Sequence, residues 1–217
     1  VEINGDSTQR KFIVGLGNPG RKYAETRHNV GFRVLEVLRN RWSLGEGRKA
    51  FDGLIWETRI GRSAEGLIPG NLTSVILLAP MTYMNNSGRS VRAMLDFYKV
   101  FTEGPEKDNL LVVMDDLALP IAQLRFRASG SDGGHNGLSD ILQTCGTRDI
   151  SRLRVGIGAA PGVMDPKDYV LGKFRPDEQE DIGAAIQISA DAVEEYLRDG
   201  IMKVMEKYNR KPENDDD

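Results

Sequence analysis

The sequence predicts an α/β fold: a single domain built on a mixed, twisted β-sheet surrounded by α-helices. Three observations carry that expectation. Short apolar runs bounded by turns alternate with stretches of helical period, the pattern of strands joined by helices. Two later strands alternate arginine with apolar residues, Leu124-Arg125-Phe126-Arg127 and Arg152-Leu153-Arg154-Val155, which suggests a sheet of mixed direction. The chain has 217 residues, 40% of them hydrophobic, enough for one real core. The expected division is a flexible segment over 1–10, a single α/β domain over 11–210 and a disordered acidic tail over 211–217.

Taken in order, 11–17 (KFIVGLG) reads as a buried strand that ends in the Asn18-Pro19-Gly20 turn. Together the residues from Gly15 to Gly20 match G-x-G-x-x-G. A dinucleotide site, however, needs a helix opening on those glycines. The next helical pattern is Val30, Val34, Val37, Leu38, Trp42, well past the turn. Glu36, at the spacing of a ribose ligand, falls inside that helix and not at the end of a second strand. A nicotinamide-dependent enzyme is therefore disfavoured. A strand follows over 51–61, then a turn or loop over 62–73, then a buried strand over 74–78. A helix carrying Val91, Met94, Leu95 and Tyr98 on one face follows, with Asn86 or Ser87 as its cap. Segment 109–114 (NLLVVM) reads as a central strand ending in Asp115-Asp116. Carboxylates at the C-terminal end of a buried strand are costly unless used, and ligands bind at that end of open α/β sheets. A glycine-rich turn over 129–137 leads into a helix bearing Leu138, Ile141 and Leu142. Asp165-Pro166 opens a helix as cap and first-turn proline. Pro176-Asp177-Glu178 opens one long final helix, with Lys203, Lys207 and Arg210 at its far end.

Composition narrows the function classes. Net charge is −3, unlike a dedicated duplex binder, although basic residues cluster at Arg125/Arg127 and Arg148/Arg152/Arg154. That pattern suits an enzyme that must release a nucleic acid. Cys145 is the sole cysteine, so no internal disulfide and no cysteine cluster for zinc is expected, and a cytoplasmic setting follows. No apolar run is long enough to cross a bilayer.

Only two histidines occur, His28 and His135. Each is followed by asparagine and lies in a glycine-containing segment before a helix. The polar residues left without a packing role are Asn18, His28, Asn85, Asp115, His135 and Asn136. There is no G-x-S-x-G elbow, no metal-ligand spacing and no P-loop. An imidazole, a carboxylate and several amides suit water-mediated hydrolysis. The neutral ring takes a proton from water, the carboxylate holds its tautomer, and the amides position a carbonyl and stabilise its oxyanion.

On 12–32 (FIVGLGNPGRKYAETRHNVGF), 80–88 (PMTYMNNSG), 114–120 (MDDLALP), 133–138 (GGHNGL), 152–158 (RLRVGIG) and 168–174 (DYVLGKF), the chain resembles the bacterial-type peptidyl-tRNA hydrolase family. These segments span nearly the whole chain. The resemblance implies a monomeric esterase, free of metal and of any cofactor. Its reaction cuts the ester between a peptide's C-terminus and the terminal ribose of tRNA. It also implies roles. His28 is the general base, Asp115 its partner, and Asn85 the amide that orients water. Asn18 and Asn136 hold the peptide carbonyl and backbone, Tyr23 and Met84 line the peptide channel, and His135 supports from the substrate side. Arg127 and Arg154 clamp the tRNA 5′ phosphate beside Arg125, and residues 160–168 form a mobile lid. Departures are Ala79 in place of a common lysine, Met114 before the acid, a longer loop over 62–73, and a 158–162 segment without the usual polar residue. A non-catalytic RNA-binding relative is the alternative. It would be expected to lose His28, Asp115 or Asn85, and all three are present.

Overall fold

The computed structural model describes residues 10–63, 66–69, 73–100 and 109–210. The expected flexible start and acidic tail lie outside the described residues, apart from Arg10, which begins the first strand. In chain order the strands are β1 (Arg10–Gly15), β2 (Arg48–Ala50), β3 (Gly53–Ser63), β4 (Gly66–Pro69), β5 (Thr73–Pro80), β6 (Leu110–Asp116), β7 (Leu124–Arg127) and β8 (Ser151–Gly156). The helices are α1 (Val30–Arg41), α2 (Ser87–Tyr98), α3 (Asn136–Cys145), α4 (Pro166–Leu171), α5 (Gln179–Asp199) and α6 (Ile201–Tyr208). The sheet order is β2-β3-β5-β1-β6-β8-β7, with β4 paired to β3. The four central strands β5, β1, β6 and β8 are parallel, and the flanking pairs are antiparallel.

Strand periodicity sorts the core into two faces. Ile13, Val75, Leu77, Leu111, Val113, Leu153 and Val155 pack with α1 and α5. Phe12, Val14, Ile76, Leu78, Leu110, Val112 and Met114 pack with α2 and α3. Both faces are covered, which is why these strands read as continuous apolar runs.

Three expectations are corrected. The stretch 62–73 is not simply a loop: β3 runs on to Ser63 and β4 pairs back along it. Its turn-rich composition hides the paired strands. Asn86 holds the N-cap position of α2, as one of the two expected, but its side chain makes no capping hydrogen bond. The Gly88 N–H instead donates to Asp140 of α3 at 2.6 Å, a cap supplied from another helix. The long final helix is two helices, broken at Gly200, whose φ of 82° belongs to the left-handed region that glycine tolerates. Lys203 and Lys207 thus sit on α6, not at the end of α5.

The parallel strands all point their C-terminal ends to one side. Asn18 and His28 follow β1, Asn85 follows β5, Asp115 closes β6, and residues 157–171 follow β8. The expected rule for ligand position in α/β sheets therefore places these residues together.

Candidate active site

His28 sits in a single 3-10 turn, Arg27–Asn29, between β1 and α1. Two glycines let that turn approach the sheet. A Cβ on Gly31 would lie 2.3 Å from the Leu16 nitrogen and 2.5 Å from the Val113 oxygen. One on Gly15 would lie 2.4 Å from the Gly31 oxygen. The first glycine of the G-x-G-x-x-G match thus serves helix-to-sheet packing, and α1 begins at Val30. Neighbours of His28 fix the turn. Asn29 Oδ1 accepts from the Asn18 N–H at 2.8 Å, and its Nδ2 donates to the Asn18 carbonyl at 3.0 Å. Arg27 is buried against Tyr169 and Phe174, and pairs with Glu178 at 2.6 Å.

His28 Nδ1 lies 2.8 Å from Asp115 Oδ1, and His135 Nε2 lies 3.0 Å from the same oxygen. All three residues are buried. The tautomers follow from the partners. His135 Nδ1 accepts from the Leu138 N–H at 3.2 Å as the N-cap of α3, so its Nε2 carries the proton given to Asp115. Gly133 and Gly134, at φ of 62° and 84°, turn the chain so that His135 reaches this position. The matching tautomer of His28 donates Nδ1–H to Asp115, and its Nε2 has no hydrogen-bond partner among the described residues. Burial alone would push the Asp115 carboxyl up. The two imidazoles and their hydrogen bonds outweigh it and hold the carboxyl well below the usual carboxylate range. His135, expected on the substrate side, lines the cleft and is also hydrogen-bonded to the acid. The trio also has the residue types of a metal site, although its positions in sequence have no metal-ligand spacing. Asp115 Oδ1 engages His28 Nδ1 and His135 Nε2, and His135 Nδ1 serves the α3 cap, which leaves only His28 Nε2 among the ring nitrogens without a partner among the described residues.

A cleft of about 400 Å³ opens over this trio, lined by Asn18, Tyr23, His28, Met84, Asn85, His135 and Asn136 among others. Every expected catalytic and peptide-side residue therefore meets there. Asn18 Oδ1 accepts from the Met84 N–H at 2.9 Å, which commits that oxygen and leaves the Nδ2 protons as donors. Asn85 and Asn136 are exposed on the cleft wall. Asp165 caps α4 through the Lys167 N–H at 2.8 Å, as expected, and the start of α4 forms the rim. Val163 and Met164, in the expected lid, are exposed.

The comparisons with known proteins agree with this geometry. The family model described as peptidyl-tRNA hydrolase matches residues 12–216. The chain belongs to the peptidyl-tRNA hydrolase family. It is an enzyme of that class. It is 47% identical over 199 residues to the peptidyl-tRNA hydrolase of Chloroflexus aurantiacus, covering 91% of this chain and 97% of that one. To the Bacillus cytotoxicus peptidyl-tRNA hydrolase it is 40% identical over 199 residues, covering 92% and 99%. The crystal structure of Acinetobacter baumannii peptidyl-tRNA hydrolase superposes with a TM-score of 0.77 at 34% identity, covering 92% of this chain and 94% of that chain.

Two features were not foreseen from the sequence: the place of Tyr83 in the cleft, and the burial of Arg152, which the sequence shows only within a basic cluster. Tyr83 lines the cleft, 54% exposed, with a φ of 62° unusual for an aromatic residue, and its ring stands edge-on to Tyr23 at 6.4 Å. The signal was an aromatic between the end of β5 and the asparagines. The other is Arg152. A second cleft of about 370 Å³, beside the first, is lined by Arg127, Arg152, Arg154 and the loop from Ser129 to Gly133. Arg152 is 2% exposed, and its Nε has no partner among the described residues. Burial, then the Arg154 and Arg127 charges, push its guanidinium down to about 10. Arg125 lies across from Arg154 in the β7–β8 register, and Arg127 across from Arg152. Cys145 is buried, and burial pushes its thiol up to about 11, as befits a packing residue.

Proposed function

We propose that this chain hydrolyses the ester between a peptide's C-terminus and the terminal ribose of tRNA, with His28 as general base. One observation supports the reading: His28 Nδ1 lies 2.8 Å from Asp115 Oδ1 while His28 lines the cleft; with the Nδ1 proton donated to Asp115, Nε2 serves as the base. In this mechanism Nε2 takes a proton from a water molecule, and the hydroxide attacks the ester carbonyl. Asp115 stabilises the imidazolium as it forms, and the imidazolium returns the proton to the departing ribose oxygen. Asn85 orients the water. The Nδ2 of Asn18, whose Oδ1 is already engaged by Met84, donates to the carbonyl oxygen, and Asn136 holds the peptide backbone. Tyr23 and Met84 line the peptide channel, and residues 160–168 close over it. His135 steadies Asp115. Arg127 and Arg154 receive the tRNA 5′ phosphate, with Arg125 a neighbouring contact; a guanidinium fork meets phosphate oxygens in pairs. Contacts to the peptide backbone make unblocked aminoacyl-tRNA a poor substrate.

The test is incubation with a blocked aminoacyl-tRNA. The parent protein releases the blocked amino acid. His28→Ala, still folded by circular dichroism, loses on the order of 10³-fold in turnover. Near-normal turnover by His28→Ala would remove the imidazole from the mechanism.

A further inference from the structure

The last two residues of β6 are both carboxylates, and strand alternation sends them opposite ways. Asp115 meets the two histidines. Asp116 faces the same side of the sheet as Arg152 and Arg154 and pairs with the Nε of Arg154. Its carboxylate is fixed independently, because Oδ1 also accepts from the Ala118 N–H at 2.8 Å. Its backbone carbonyl accepts from the Ile157 N–H at 3.0 Å, which ties it to the end of β8.

This arrangement has a directional consequence. Arginine offers five N–H donors in a rigid plane. With the Nε edge held by Asp116, the Nη end of Arg154 is turned outward. Its Nη2 lies about where the glycine loop begins, 4.0 Å from the place a Gly133 Cβ would occupy. The Nη end therefore joins Arg127 and Arg152 at the second cleft. Among the described residues, Asp116 is the only carboxylate within ion-pair distance of these three guanidinia. It lines the first cleft and not the second, whose own carboxylate, Asp132, is in ion-pair contact with none of the three.

We propose that Asp116 is the positioning residue of the phosphate-recognising arginines. It aims the Arg154 fork at a terminal phosphate monoester while its neighbour Asp115 holds the base, so end recognition and ester cleavage are set by adjacent residues of one strand end. The inference rests on the tRNA reading above and names the residue that makes it selective.

The experiment compares kcat/KM for a blocked aminoacyl-tRNA carrying a 5′ phosphate with that for the same molecule after phosphatase treatment. It is run on the parent, Asp116→Asn, Asp116→Glu and Arg154→Ala. The parent prefers the phosphorylated substrate. Asp116→Asn, which keeps the acceptor for Ala118 and loses the charge, lowers that preference at least about threefold through KM, because a charge-assisted hydrogen bond is exchanged for a neutral one. Asp116→Glu retains more of the preference than Asp116→Asn. If Asp116→Asn keeps the parental preference while Arg154→Ala abolishes it, the role given to Asp116 is wrong and the clamp stands. If Arg154→Ala also keeps the preference, the clamp reading itself falls. A loss in kcat that is equal on both substrates would mean that Asp116 acts through Asp115, which likewise overturns the inference.

Discussion

On one side of the β6 terminus, a buried carboxylate is met by two imidazoles whose tautomers its own oxygen and the α3 N-terminus determine. On the other side, three guanidinia line one cleft, and a single carboxylate pairs with one of them. The first cluster is electrostatically complete in the free protein. The second is crowded with like charge, and its most buried member is pushed down to about 10 by desolvation and by its neighbours. The difference is instructive. Groups that carry out chemistry gain from being preorganised, since no rearrangement is then needed at the moment of reaction. Groups that receive an anion gain from a charge deficit that the ligand relieves.

Breaking the complete cluster has the largest expected effect. Asp115→Asn should lower kcat on the order of 10³-fold, because the amide no longer enforces the Nδ1–H tautomer of His28. Single-turnover cleavage checks this, and a loss below about tenfold would detach the acid from the reaction. The same variant probes acid stability. The folded carboxyl titrates below its unfolded counterpart, near 4. Asp115 therefore favours folding above that range, and the contribution is lost as pH falls toward the folded value. The urea midpoint of Asp115→Asn should decline less steeply than the parent's between about pH 5 and pH 3.

Effects on the crowded cluster are smaller and of another kind. Arg127→Ala should weaken tRNA binding and reduce the slope of log affinity against log salt by about one, measured by filter binding over a salt series. An unchanged slope would place the phosphate contacts elsewhere. Arg152→Met sharpens the comparison most finely. Removing a buried charge that faces two like charges should leave stability unchanged or raise it by about 1 kcal/mol, while tRNA binding falls. A drop of more than about 2 kcal/mol in the urea-derived stability would show that Arg152 serves the fold, with its 3.2 Å bond to the Gly130 carbonyl as the reason.

Much of the site could be read from residue types alone. His28, Asp115, Asn18, Asn85 and Asn136 stand out because nothing in the local pattern requires them, and the structure gathers all five at one cleft. The dinucleotide fingerprint could be dismissed on helix position, and the packing of Gly15 against Gly31 supplies the reason those glycines exist. The burial of Arg152 stayed hidden because alternation along β8 does not say which arginine of the basic cluster is covered by the neighbouring loop. Tyr83 stayed hidden because its exposure depends on a backbone angle that the sequence does not display.

By itself, then, the sequence determined what is written in neighbouring residues: strand and helix periods, the Asp165-capped start of α4, the α/β class and the residue types available for hydrolysis. Tertiary structure decided what depends on distant segments meeting. It joined two histidines, 87 and 20 residues from Asp115, to one oxygen of that acid. It supplied a partner for the α2 N-terminus from α3, broke the final helix at Gly200 and met adjacent aspartates with different partners. Local pattern follows from the geometry of a few consecutive bonds, whereas these contacts exist only after the sheet has brought its strand ends side by side.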